Sequence, residues 1–366
     1  MKKILFTAST YSHINNFHIP YLKFFKENGF EVHVAVGGKA QEIPFADKVF
    51  DIPFQKNITS IENFKLAYRL SKIIKRENYD IISTHTSLAA FFTRLAVALS
   101  NSRPYVINTV HGYLFDDNFP FIKKNIMLLA EKIMSPWTDD IIVMNRDDYN
   151  IAKKHKLYKN KLHFTNGMGV DFSKLIVCDN RSDKRYELGF TPEGIILVYA
   201  AEFSDRKNQE MIIRSMVNLS PKIKLILMGD GQNLERCKEL SKKLDLSDRI
   251  LFTGYVKNID FYYSISDICI SASRIEGLPF NIMEAMYMGL PVVASKVKGN
   301  EDLVEEGTNG YLFEYNDINS FSSILNKLSE DVRLREDLGK HSKELSKKYS
   351  LKNVFPEIVS IYKEYI

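Results

Sequence analysis

The stretch "DICISASRIEGLPFNIMEAMYMGLPVVAS", Asp267–Ser295, holds a strand, a helix and a second strand in one short run. The first seven residues, 267–273, alternate Ile, Cys, Ser and Ala, and read as a buried strand. Pro279 suits the first turn of a helix, where its missing N–H has no intrahelical partner to lose. Gly289 suits the left-handed position after a helix, and Pro291 just beyond prevents continuation. A helix is therefore expected from Pro279 to Met288, with "LPVVAS" (290–295) as the next strand. A strand, a helix and a strand in this order make a right-handed crossover in a parallel sheet.

The same alternation extends outward in both directions. In the first half, strands are expected at 3–9, 31–36, 81–86, 105–110 and 140–145; in the second, at 194–202, 222–230, 249–256, 267–273 and 290–295. These runs are apolar and β-branched throughout, as strands buried on both faces of a parallel sheet must be. The series restarts near residue 194, after the polar, turn-rich stretch "DFSKLIVCDNRSDKRYELGFTPEG". The expected fold class is therefore α/β, with two Rossmann-like, doubly wound parallel-sheet domains facing across a cleft. The boundaries are 1–171 for the first domain, 172–193 for a linker and 194–350 for the second, with a C-terminal helix at about 351–366 packing back on the first.

Composition excludes several classes. The chain has 366 residues, more than one ordinary core accommodates. It is 45% apolar and 26% charged, which is the balance of a soluble globular protein. It has no run of 18 apolar residues, so no spanning helix is expected. The three cysteines are isolated and odd in number, with no metal or disulfide spacing, which points to a reducing, cytoplasmic setting. Net charge is +5, split as +7 over residues 1–171 and −2 over the rest. A basic front half suits an anionic partner, and nothing points to nucleic acid.

Glu276 and Glu284 lie in the opening stretch with seven residues between them. On a helix rising about 1.5 Å per residue, Glu284 sits about 7–8 Å along the axis from Pro279. Two carboxylates working on one glycosidic bond with retention lie only about 5–5.5 Å apart. The pair is better suited to two ends of a longer ligand, with an anion at the helix start between them. Further candidates lie where strands end. Arg206 and Lys207 in "AAEFSDRKNQE" could neutralise a leaving diphosphate. "MGDGQNLE" has Gly229 and Gly231 but Leu234 where a dinucleotide fingerprint needs its third glycine. "LFTGYV" places Tyr255 and Val256 beyond a glycine turn. In the front half, His111 and Gly112 follow a strand in "TVHGYLF", and "TYSHINNFHIPYLKFF" offers His13, Asn15 and Asn16 in a loop after strand one.

These residues resemble a known family. "EGLPFNIMEAMYMGLPVVAS" is similar to the E-x7-E signature of the family 4 retaining glycosyltransferases, which have the GT-B fold. "HINNFHIPYLKFF", "TVHGYLF", "NRDDYN", "FTNGMGVD", "RKNQ", "LMGDGQNLE", "LFTGYV" and "NGYLF" follow in the family's order, most like the branch that builds bacterial capsule and exopolysaccharide repeat units. The resemblance implies that Glu276 touches donor-sugar hydroxyls and Glu284 the ribose. The backbone at Leu278 and Phe280, with the helix start, would cradle the diphosphate, Lys207 would pair with it, and Arg206, Gly231, Gly277 and Asn281 would also bind the donor. Backbone at Tyr255 and Val256 would hold the base, and His111 would orient the sugar. His13, Asn15 and Asn16 would meet the acceptor.

The implied reaction moves a sugar, an N-acetylhexosamine on the branch resemblance, from a UDP-sugar with retention. The acceptor would be a polyprenyl-diphosphate-linked or other glycan. No D-x-D triplet is present, so neither a metal nor any other cofactor is expected. The helices in 64–79 and 119–137, with their lysines and apolar residues, could dock on an anionic membrane at its inner face. One position departs from the pattern: Glu202 stands where many members carry arginine, and Arg206 is the candidate substitute. Three alternatives stay open: a non-catalytic nucleotide-sugar-binding subunit, a sugar-nucleotide epimerase of similar fold, and a dinucleotide oxidoreductase.

Overall fold

The computed structural model describes residues 1–116 and 119–366. The chain divides into two compact units, Met1–Gly169 with Lys352–Ile366, and Val170–Leu351. Among the described residues, the first unit holds one seven-stranded sheet and the second one six-stranded sheet, every pairing parallel.

The first sheet is built from β1 (Lys3–Thr7), β2 (Glu31–Val36), β3 (Lys48–Asp51), β4 (Ile81–His85), β5 (Tyr105–Val110), β6 (Asp140–Val143) and β7 (Lys161–Phe164). The second has β8 (Ile195–Ala200), β9 (Ile223–Met228), β10 (Ile250–Gly254), β11 (Ile268–Ser271), β12 (Val292–Ser295) and β13 (Gly310–Phe313). The spatial orders are β3-β2-β1-β4-β5-β6-β7 and β10-β9-β8-β11-β12-β13. Each sheet therefore winds one way and then the other, with its reversal between β1 and β4, or between β8 and β11. Such a reversal splays the flanking helices apart and opens a crevice at the carboxyl ends of the two strands.

Strand alternation sorts the side chains. In β1, Leu5 faces one layer with Leu66, Leu70, Ile74 and Phe92, while Phe6 faces the other with Phe25 and Tyr362. Helix Ile61–Glu77 buries Leu66, Leu70, Ile73 and Ile74 in that first layer. These four residues are thus spent on the core, while Ile61, Phe64 and Tyr68 on the same helix stay exposed. Helix Phe121–Met134 differs: Phe121, Ile122, Ile126, Leu129 and Ile133 are all exposed.

The expected linker is corrected. Residues 172–193 pack with the second unit. Phe172 stacks on Tyr287 with ring centroids 4.3 Å apart. Arg185, on helix Arg181–Glu187, donates to Asp267 Oδ2 at 2.7 Å and to the carbonyls of Ile265, Pro192 and Gly194 at 2.8–3.0 Å. A buried guanidinium rather than an apolar stripe anchors this segment, so hydrophobic periodicity gave no sign of it. The chain passes between units at two places that are bonded together: Val170 N donates to Tyr349 O and Leu351 N to Val170 O, each at 2.8 Å. The returning helix Leu351–Lys363 belongs to the first unit, where the Tyr362 hydroxyl meets Ser83 Oγ at 2.6 Å.

Candidate functional site

The reversal of the second sheet carries a buried charge cluster. Arg206 and Lys207 follow β8, and Glu276 follows β11, its neighbour. Lys207 and Glu276 are only 9% and 8% exposed. The Lys207 ammonium bonds Glu276 Oε1 directly, and Arg206 Nη1 lies 3.3 Å from Oε2. Burial alone would raise the Glu276 carboxyl; Lys207 and Arg206 outweigh it and hold it below its ordinary value. The two loops are also laced by backbone, since Arg274 N donates to Arg206 O at 2.8 Å. Behind them, the Tyr199 hydroxyl meets Ser273 Oγ at 2.8 Å and donates to Lys207 O at 3.1 Å. Glu202, the position that departs from the family, is exposed and forms no ion pair among the described residues.

Beyond Glu276 the chain turns into helix Phe280–Tyr287, with Pro279 as its cap residue, one residue from the expected start. Leu278 is buried, and Gly277 lies against the loop ending at Gly299. A Cβ on Gly299, whose φ is +80°, would sit 2.5 Å from Gly277 O. Glu284 stands in the second turn near Tyr263, Cys269 and Asp260. Burial, aided by Asp260, pushes its carboxyl up to about 7. Asn281 O accepts from the Tyr263 hydroxyl at 3.0 Å.

Gly231 and Gly229 serve the fold first. A Cβ on either would sit 2.4 Å from Phe203 O or 2.1 Å from Ala201 O, so these glycines let the β9 turn press on the loop leading to Lys207. Tyr255, after Gly254 at φ +68°, is 77% exposed, and Val256 follows it half-buried. Sequence reasoning passed over Ser273, Tyr199, Gly299 and Asn300. Asn300 donates to Ser295 O at 2.9 Å and Ser295 Oγ to Ser273 O at 2.6 Å. Gly299 in "KVKGNED", a glycine opening a short helix, was the signal available for that loop.

In the first unit, the equivalent reversal collects histidines. His13 stands on helix Tyr11–Phe17, His85 ends β4 and His111 follows β5. His13 Nε2 lies 3.4 Å from His111 Nε2. The segment after β1 is helical and not the expected loop, because Thr10 caps it by accepting from His13 N. That helix turns its residues apart. Asn15 donates to Gln41 Oε1 and Glu42 O at 3.2 and 3.0 Å, Asn16 is exposed, and only His13 joins His111.

Beside them, a hollow of about 710 Å³ opens at the carboxyl ends of β1 to β5. Its lining is mostly apolar, including Phe54, Ile58, Leu88, Phe91, Phe115 and Met127. At its wall, Glu131 is held bidentately by the buried Arg94 at 2.9 and 3.0 Å.

Comparison with known proteins converges on one family. The family described as "Glycosyl transferases group 1" matches residues 180–345, and that described as "Glycosyl transferase 4-like" matches residues 3–145. EpsD of Bacillus subtilis (strain 168), which carries a glycosyltransferase name, is 29% identical over 100% of this chain and 97% of its own. The UDP-Gal:alpha-D-GlcNAc-diphosphoundecaprenol alpha-1,3-galactosyltransferase of Escherichia coli is 30% identical over 75% of this chain and 73% of its own. Among solved structures, Anabaena HepE, crystallised with UDP and glucose, superposes with a TM-score of 0.82 over 100% of both chains at 19% identity, a likeness of fold. The 30% identity over three quarters of the chain, with both halves matched, makes this chain a glycosyltransferase of the group 1, family 4-like class, with the GT-B fold.

Proposed function

We propose that the chain transfers a sugar, with retention, from a UDP-sugar to a lipid-linked saccharide during bacterial surface polysaccharide synthesis. The sugar is an N-acetylhexosamine and the setting is the cytoplasmic face of the membrane. The observation that carries the reading is the Arg206–Lys207–Glu276 cluster at the reversal of the second sheet, followed directly by a helix N-terminus.

Glu276 accepts from sugar hydroxyls, and Lys207 turns toward the diphosphate as negative charge grows on it. The N–H groups at Leu278, Phe280 and Asn281, next to Gly277, add the helix dipole. Gly231 shapes the turn that positions this loop. Glu284 accepts from the ribose hydroxyls, and backbone beside Tyr255 and Val256 meets the base. With cations at hand, the diphosphate needs no metal. The acceptor hydroxyl attacks on the face that UDP leaves, and a diphosphate oxygen takes its proton. His111 is the first unit's candidate for orienting the sugar, and His13 for meeting the acceptor.

The hollow and the exposed face of helix Phe121–Met134 support a lipid-linked acceptor. Its apolar residues can enter a lipid surface while Lys123 and Lys124 face anionic headgroups. The E. coli relative is named for an acceptor of this type.

The test is a panel of UDP- and GDP-sugars offered with an undecaprenyl-diphosphate-linked saccharide. UDP release and the anomeric configuration of the product are followed by NMR. A UDP-N-acetylhexosamine should give acceptor-dependent UDP release and an axial product linkage. Lys207→Ala should lower turnover about 100- to 1000-fold. Tight UDP binding without transfer from any donor would instead identify a binding subunit.

A further inference from the structure

Four of the eight histidines in the sequence converge at the reversal of the first sheet. They are His13, His85 and His111 with His18, which joins helices Tyr11–Phe17 and Ile19–Glu27. Ring centroids of His18 and His85 are 3.8 Å apart and those of His13 and His111 4.5 Å. His111 Nε2 faces both His13 Nε2, at 3.4 Å, and His85 Nδ1, at 3.3 Å. Ligand nitrogens of His13, His18 and His111 all lie within 4.8 Å of one another.

Hydrogen bonding does not satisfy this arrangement. A neutral imidazole has one N–H and one lone pair. His111 Nε2 can donate to only one of its two facing nitrogens, or offer a single lone pair to both. His18 is 0% exposed, and neither of its ring nitrogens has a hydrogen-bond partner.

A metal ion resolves it. Nitrogens at about 2.0–2.1 Å from a tetrahedral zinc are about 3.3–3.4 Å from each other, the separation His111 Nε2 keeps from His13 Nε2 and from His85 Nδ1. The surroundings also suit a ligand set. His85 presents Nδ1 inward, while Ser83 Oγ holds its outer Nε2 at 3.0 Å and is itself held by Tyr362. Metal-bound imidazoles are oriented by such partners. By contrast, the carboxylates of the cluster Glu31–His33–Glu77 are already neutralised by Lys3 and Lys48.

We propose that His13, His18 and His111, backed by His85, form a binding site for one borderline divalent transition-metal ion of the zinc class. An all-imidazole set selects Zn²⁺, Co²⁺, Ni²⁺ or Cu²⁺ over Mg²⁺, Ca²⁺ and Mn²⁺. The site belongs to the first unit and the Lys207–Glu276 cluster to the second. It shares His13 and His111 with the transfer reaction proposed above, so bound metal occupies nitrogens that the reaction would use and acts as an inhibitor. The binding itself does not depend on that reaction.

The experiment strips the full-length protein with a chelator and titrates Co²⁺, reading the visible ligand-field bands of a tetrahedral ion. Zn²⁺ competition and metal analysis after equilibrium dialysis follow. The expected result is one ion per chain, with intense tetrahedral Co²⁺ bands displaced by Zn²⁺. His18→Phe keeps a ring beside His85 and should weaken binding roughly 10- to 100-fold or more. His13→Gln, on the half-buried helix surface, tests the same site should His18→Phe fail to fold. His341→Gln, on an exposed helix face of the second unit, should change nothing. Absence of bound metal in the unsubstituted chain overturns the proposal, and so does stoichiometric binding that survives both ligand substitutions. Absence of transferase activity in the metal-free protein, with metal binding intact on titration, would count against the transfer reading alone.

Discussion

Removing the Lys207 ammonium tests what holds the candidate site together. Lys207→Met keeps most of the side-chain volume and leaves the Glu276 carboxylate buried with one cation, Arg206, at 3.3 Å. Stripping one member from a buried ion pair costs about 3–5 kcal/mol, because the other charge stays desolvated. Arg206 is partly solvated and screened, so it offsets only a share, leaving an expected loss of about 2–3 kcal/mol. Adding Glu276→Gln to Lys207→Met removes the stranded charge. The double substitution should return to within about 1 kcal/mol of the unsubstituted chain, a recovery of about 1–2 kcal/mol over Lys207→Met alone. The readout is urea unfolding followed by far-UV circular dichroism. Tryptophan fluorescence does not serve, since the one Trp in the sequence, Trp137, lies in the first unit and the pair in the second. If Lys207→Met lost nothing, or if the double substitution were no more stable than it, the reasoning would be refuted. Transferase activity should stay low in both, because recovered stability does not restore the charge.

Glu284 supplies a pH signature. Its folded value of about 7 lies above the ordinary 4.5, so between those values the folded chain keeps a proton that the unfolded chain has released. Stability should therefore fall as pH rises through that window, by at most about 3 kcal/mol, and Glu284→Gln should flatten the profile. If the ionised carboxylate accepts from the ribose, UDP affinity in calorimetry should weaken as pH drops below about 7, and Glu284→Gln should remove that slope too. Gly231→Ala should destabilise by about 2 kcal/mol or more, from positive φ and collision with Phe203 O, and reduce turnover by shifting the loop before Lys207. Unchanged urea midpoint and turnover would contradict this. Replacing Phe121, Ile122 and Ile126 together by Ser should abolish salt-sensitive flotation with anionic liposomes without altering the urea midpoint, as these residues are exposed. Flotation that survives would rule out this face as the docking surface.

Much of the architecture was legible because parallel strands in the middle of a sheet are apolar on both faces. Ten expected strands all have counterparts, and β2 and β5 match residue for residue. The three that escaped notice, β3, β7 and β13, are four-residue edge strands. In β3 and β7 most side chains are exposed or half-buried, so no apolar run marks them. The Lys207–Glu276 contact was foreshadowed by two strand ends with complementary charge. The histidine cluster was not, because His13, His85 and His111 come from segments far apart in sequence that only the strand order brings together. His18 and His85 were overlooked for a related reason: a fully buried histidine looks in sequence like any polar residue at the end of an apolar run.

The Val170–Ser350 bridge and the helix after it set a schedule for biogenesis. The second unit is one continuous segment, whereas the first is closed only by Lys352–Ile366. On a ribosome, the sheet carrying β1 to β7 has fully emerged while Tyr362, which fills the space between Phe6, Phe25 and Ser83, has not been made. At about 5–20 residues per second, the intervening segment takes about 10–40 s to synthesise. For that interval the first-made half keeps an open seam, and the half made second can finish folding before it.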